Sequence, residues 1–128
     1  MSKQAPQHRV NWFEIPTTDL ERATRFYEAT LDATLKREVF FGVPHAIFLT
    51  AGEDGVGGAL IADPRRAPTR GTGTVIYLHA TDGVGACLAR AREAGAKVVQ
   101  PETAIGPFGT IAIIEDLDGN AIGLHAPA

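Results

Sequence analysis

The feature that most constrains the fold is a strand–turn–helix pattern that occurs twice. Val10 to Leu31, VNWFEIPTTDLERATRFYEATL, alternates up to Ile15, breaks at Pro16, and then carries Leu20, Ala23, Phe26, Tyr27 and Leu31 at helical spacing. A weaker copy, VIYLHATDGVGACLARAREA, runs from Val75 to Ala94, with Val84, Leu88 and Ala91 as its apolar stripe and Cys87 beside it. Both place a Thr-Asp pair at the turn, Thr18-Asp19 and Thr81-Asp82, and the pairs lie 63 positions apart, about half of the 128-residue chain. A chain of this length can bury one substantial core. The repeat therefore predicts one domain made of two copies of a small module.

Around each copy the remaining elements follow. Thr18, with Glu21 three residues on, has the pattern of a capping box, and Asp19 and Glu21 suit the positive end of the helix dipole. Strands are expected over Ala33–Phe40, His45–Thr50 and Gly58–Ala62, with a turn at Phe41-Gly42-Val43-Pro44 and an acidic, glycine-rich loop from Ala51 to Gly57. No GK[ST] follows those glycines, so they do not form a phosphate loop. Asp63 to Gly73, DPRRAPTRGTG, reads as a solvated linker whose arginines could also hold an anion. In the second half, strands are expected over Thr74–Ala80, Lys97–Gln100, Thr110–Glu115 and Ala121–His125. Asp82 is the expected helix cap, Gly95 the helix stop, and Asp116-Leu117-Asp118-Gly119-Asn120 a turn. The order is β-α-β-β-β twice. Four strands and one helix leave one sheet face uncovered in each module, so two modules side by side would make a curved sheet around a cavity.

Bulk properties exclude several classes. Net charge is −3 and the pI about 5.7, against the basic surface that nucleic-acid binding needs. No apolar run reaches the roughly 18–20 residues of a membrane span, and MSKQAPQHRV has no apolar leader. One cysteine, Cys87, rules out an internal disulfide and fits a reducing compartment, so a cytoplasmic protein is expected. Cys87 itself reads as a small buried side chain on a helix.

FEIPTTDLERATRFYEATL, followed by DLDGNAIGLHAP near the end, resembles the vicinal oxygen chelate superfamily, which includes glyoxalase I, extradiol dioxygenases, and fosfomycin- and bleomycin-resistance proteins. WFEIP, GAKVVQPETAIGPFG and GNAIGLH are similar to its glyoxalase-like branch, and the likeness covers Val10 to Pro127. It implies an α+β fold of two βαβββ modules forming a curved eight-stranded mixed sheet with a cup-shaped cavity, commonly as a homodimer. On this reading residues 1–9 are a disordered tail, 10–62 module one, 63–73 a linker and 74–127 module two. Fold and chemistry separate readily, so the reaction is not fixed by the resemblance.

The resemblance also implies a divalent metal held by His or Gln and Glu, and here the sequence departs from it. The ligand position seven residues before the turn aspartate is Trp12 in module one and Val75 in module two. The acid expected after the DGN-x-Ile pattern is Gly123, and Gly58 to Ile61 offers no acid either. None of these side chains supplies the N, O or S donor that such a metal needs. No metal and no other cofactor is therefore expected. If Trp12 faces the cup, strand alternation turns Glu14 the same way, and likewise Tyr77 and His79 with Val75, and His125 with Gly123. Glu14, His79 and His125 are the candidate acid–base residues, because carboxylate and imidazole side chains are the groups that most often accept and donate protons in catalysis. Trp12, Tyr77, His45 and Phe108 are candidate ligand-binding residues. Each also has a structural explanation, as a hydrogen-bonded group or a residue of a dimer interface. Three functions follow: binding or sequestering a small, partly apolar or aromatic molecule without metal; a metal-independent isomerase or lyase using Glu14 with His79 or His125; or a regulatory dimer without a ligand.

Overall fold

The computed structural model describes residues 4–128. Of the tail expected over 1–9, residues 1–3 lie outside the described residues, and residues 4–9 form no helix or strand. The first module comprises β1 (Trp12–Pro16), α1 (Leu20–Leu31), β2 (Leu35–Phe40), β3 (Val43–Phe48) and β4 (Gly57–Ile61). The second comprises β5 (Ile76–His79), α2 (Val84–Glu93), β6 (Lys97–Ala104), β7 (Thr110–Glu115) and β8 (Ala121–Ala126), with a short 3₁₀ turn at Gly106–Phe108.

The strands make two four-stranded sheets of the same topology, β1-β4-β3-β2 and β5-β8-β7-β6. In each, the first strand runs parallel to the last and all other pairs are antiparallel. The two βαβββ modules of an α+β fold are thus present, but the single curved eight-stranded sheet is not. No backbone ladder joins β1 to β5. Residues from both of those edge strands, Phe13 on β1 and Ile76 to His79 on β5, instead line a cavity of ≈ 490 Å³.

The modules share one core through their helices. α1 buries Leu20, Ala23, Phe26, Tyr27 and Leu31, and α2 buries Val84, Cys87, Leu88 and Ala91. The two helices pack on each other and on Ile15, Ala46 and Leu60 of the first sheet and Leu78, Ala112, Ile114, Ile122 and Leu124 of the second. Strand alternation then sends Trp12, Glu14, Tyr77, His79 and His125 to the faces turned away from the helices.

Three local expectations are corrected. Asp19, not Thr18, caps α1: it is extended (φ −147°) and its carboxylate accepts from the Arg22 N–H at 3.1 Å. Asp82 does not cap α2. It sits in the left-handed region (φ 61°), Gly83 takes the cap position, and no side chain bonds the first turn. β6 runs through Pro101 to Ala104 instead of stopping at Gln100. The ladder shifts register on either side of Gln100, and such bulges admit a residue without an N–H.

The Asp116–Asn120 turn does more than reverse the chain. Asp118 Oδ2 accepts from the Thr17 hydroxyl at 2.5 Å, and its Oδ1 accepts from the Thr18 N–H and hydroxyl, both at 3.0 Å. Asp116 Oδ2 accepts from the Tyr27 hydroxyl at 2.6 Å, and the Asn120 amide donates to the Pro16 carbonyl at 2.8 Å. The second module thereby grips the β1–α1 turn of the first. Burial, reinforced by the charge of Asp116, pushes the Tyr27 phenol well above its ordinary value. A raised folded-state pKa means that this stabilisation is complete below the unfolded value, about 10, and is lost as pH climbs beyond it toward the folded value. Tyr27→Phe is expected to cost about 1–3 kcal/mol at pH 7 by removing a donor from a buried carboxylate, and to flatten the fall in stability above about pH 10. Urea denaturation at pH 7 and pH 10.5 checks both; wild-type stability in the variant at pH 7 would show that the Tyr27–Asp116 bond contributes nothing.

Candidate functional site

The open face of the first sheet carries the most developed polar cluster. β1 presents Trp12 and Glu14, and β3 presents His45 between Val43 and Ile47. The chain leaving β4 turns at once, so that Asp63, Arg65 and Arg66 come back over the sheet. With Phe40 and Phe41 of the β2–β3 hairpin, these residues line a cavity of ≈ 420 Å³, a usual size for a small-molecule site.

Glu14 is the hub. Its Oε2 accepts from the Trp12 indole N–H at 3.3 Å, and its Oε1 lies 2.8 Å from the Arg66 guanidinium. His45 Nε2 stands 3.6 Å from Oε2, while its Nδ1 lies 2.8 Å from the Val43 carbonyl and so donates to it. The Phe40 ring meets the imidazole edge-on at 4.9 Å. Behind Arg66, the almost wholly buried Asp63 accepts from the Arg65 N–H at 3.0 Å and from its guanidinium twice at 3.1 Å. The Arg65 guanidinium, helped by that backbone N–H, holds the Asp63 carboxyl below its ordinary value. Two carboxylates thus face two guanidiniums, and the charged groups of the cavity cancel.

The other candidates lie elsewhere. Tyr77 and His79 line the cavity beside β1 and β5. His79 also borders a smaller apolar cavity of ≈ 220 Å³ with Phe13, Leu31, Leu35 and Phe48. His125 neighbours His79 in register across β5 and β8, and its Nε2 lies 2.7 Å from the Phe108 carbonyl, to which it donates. The Phe108 side chain is 72% exposed. The structure therefore unites Trp12, Glu14 and His45, joins His125 to the backbone of Phe108, and places Glu14 and His79 in different cavities.

Asp63, Arg65, Arg66, Phe40 and Phe41 are the residues that sequence reasoning missed. The readable signal was the Asp-Pro-Arg-Arg string directly after a strand, since an aspartate there readily bonds the backbone two residues on. Cys87 is buried as expected; its thiol lies 3.3 Å from the Thr81 carbonyl, and burial pushes its pKa up.

The residues at the metal positions of the superfamily do not fit a metal. Trp12 offers only an N–H donor, already aimed at Glu14. At Gly123 a Cβ would stand 2.3 Å from the Tyr77 ring, so an acidic side chain has no room there. Among the described residues, no three His, Cys, Asp or Glu side chains are grouped to share an ion.

The chain is similar to several solved structures. TnmS3, an antibiotic binding protein from Streptomyces sp. CB03234, is 30% identical over 98% of this chain and 100% of its own, with a TM-score of 0.68. A glyoxalase/bleomycin resistance protein from the same organism is also 30% identical, covering 90% of this chain and 97% of its own, with a TM-score of 0.66. A variant of the fosfomycin resistance protein FosX from Listeria monocytogenes, at 17% identity, covers 97% of this chain and 93% of its own with a TM-score of 0.67, and shares the fold. None of the curated proteins matches the chain. The sequence model of the Glyoxalase/Bleomycin resistance protein/Dioxygenase superfamily matches residues 9–124, nearly the full length, and the chain belongs to that superfamily.

Proposed function

We infer that the protein binds and sequesters a small, partly apolar or aromatic molecule in the cavity walled by Trp12, without a metal. The observation that carries this is the state of Glu14 and Trp12. Both carboxylate oxygens of Glu14 are already engaged, by indole and guanidinium, while Trp12 remains 46% exposed. Such a cluster fixes an aromatic wall and ties up the carboxylate beside it. The likeness to an antibiotic binding protein supports the same reading. The acid–base alternative, Glu14 with His79 or His125, has less to draw on, because Glu14 and His79 line different cavities and a carbonyl occupies His125 Nε2.

The same reading takes the protein as a cytoplasmic homodimer. Tyr77 stands half exposed on the open face of the second sheet, and a second copy would cover it. No described helix is long and apolar enough to cross a membrane.

A bound aromatic ligand at a hundred times its Kd adds about 2.7 kcal/mol to stability. Thermal melting against a panel of planar aromatic compounds is expected to find one that raises the melting temperature and is recovered unchanged by mass spectrometry. Trp12→Ala should weaken it about tenfold or more, the size of a buried aromatic anchor. Turnover of the ligand that disappears in Glu14→Gln would sink the sequestering reading. Dialysis against a chelator is expected to leave the affinity unchanged, and a loss on chelation that zinc restores would sink the metal-free part. Gly123→Glu is expected to lower the melting temperature, because Tyr77 must leave its place over β8.

A further inference from the structure

The β2–β3 hairpin closes with two residues, Phe41 and Gly42, between the paired Phe40 and Val43. Both are left-handed, at φ 53° and 75°. That is the geometry of a type I′ turn, in which Asn-Gly or Asp-Gly is the relaxed choice and a bulky aromatic at the first position is strained. The Phe41 ring gains nothing from the fold in return, since it is fully exposed to water. It stands at the tip of the hairpin that borders the Trp12 cavity, where it and Phe40 add to the apolar lining.

We propose that Phe41 is a ligand-contact residue of this cavity, and that the ligand it helps to hold is an uncharged planar ring system. The aromatic part of the proposal rests on Trp12, Phe40 and Phe41 lining the same space. The uncharged part rests on the pairing of Glu14 with Arg66 and of Asp63 with Arg65 and Arg66, which leaves no net charge to attract an ion. The proposal depends on the ligand-binding reading of the cavity.

The test is calorimetric titration with phenazine, a neutral three-ring aromatic, and with phenazine-1-carboxylate, the same rings carrying a charge. Four proteins are compared: wild type, Trp12→Ala, Phe41→Asn and Phe41→Tyr. Saturable phenazine binding is expected in wild type and at least tenfold weaker binding of the carboxylate. Phe41→Asn should bind phenazine about tenfold more weakly, the scale of one aromatic contact, while melting at the same or a higher temperature. Phe41→Tyr should keep the affinity. If Trp12→Ala loses phenazine but Phe41→Asn binds it like wild type, the role of Phe41 is overturned and the cavity reading stands. A lower melting temperature for Phe41→Asn, or a shift from dimer to monomer in sedimentation, would make Phe41 a structural or interface residue and overturn the proposal. Equal binding of the two phenazines overturns the uncharged class. No saturable binding by wild type overturns the ring-ligand reading of the whole cavity.

Discussion

Two aspartates on one turn hold the halves of this protein together. Asp116 and Asp118 reach back about a hundred residues to Tyr27, Thr17 and Thr18, and Asn120 reaches the Pro16 carbonyl. These bonds are buried or partly buried, and charge-assisted bonds of that kind are stronger than neutral ones. They fix the β1–α1 turn to the β7–β8 turn, and that sets α1 against α2. Arg90 adds a further tie by donating to the Thr30 carbonyl at the end of α1. Once the helices face inward, the outward faces of both sheets are determined by the two-residue period of their strands. The position of Trp12 and Glu14 on an open face is thus a consequence of where the helices meet.

On that face the same logic of paired charge recurs, with a different result. Asp63 is almost buried and would be costly to hold without partners. Arg65 supplies a fork of two bonds plus a backbone N–H, and Arg66 is left to bridge Asp63 and Glu14. The bridge ties the turn after β4 to β1, so the wall and the floor of the cavity are held by one chain of ion pairs. Glu14 also orients the indole, because the Trp12 N–H points at it. Glu14, a candidate acid–base residue in the sequence, is in the fold the joint between Trp12 and the turn after β4.

The βαβββ repeat was legible because period-two and helical patterns are local, and its outcome is the two sheets of like topology. Element ends were less so. Thr17, Thr18 and Asp19 can all cap a helix; Asp19 does, because Asp118 takes the two threonines. The strand expected over Lys97–Gln100 stopped short of Pro101 since a bulge depends on the facing strand, which the local sequence does not specify. The candidate set included Trp12, Glu14 and His45, which the fold brings to one open face. It did not foresee that Arg65 and Arg66 complete that cluster, because a linker rich in proline and arginine carries the same local signature whether it is solvated or folded back. The expected single sheet failed for a similar reason, since nothing in β1 or β5 alone tells whether their free edges pair.

Tyr77 and Gly123 show how the metal positions of the superfamily and the aromatic character of this chain are connected. The two residues face each other in register across β5 and β8, and the ring lies over the glycine so closely that an added Cβ would displace it. Phe13 and Gly58 repeat the arrangement across β1 and β4 on the helix-facing side. A glycine beneath an aromatic ring lets the ring lie flat on the sheet, where a side chain would force it up. At position 123 that gain and a metal-binding acid exclude each other, because both need the same space above β8. Trp12 has the same relation to its own site: an indole there provides a wall and a hydrogen bond to Glu14 but no lone pair for an ion. At both positions an aromatic ring therefore takes the space that a coordinating side chain would need.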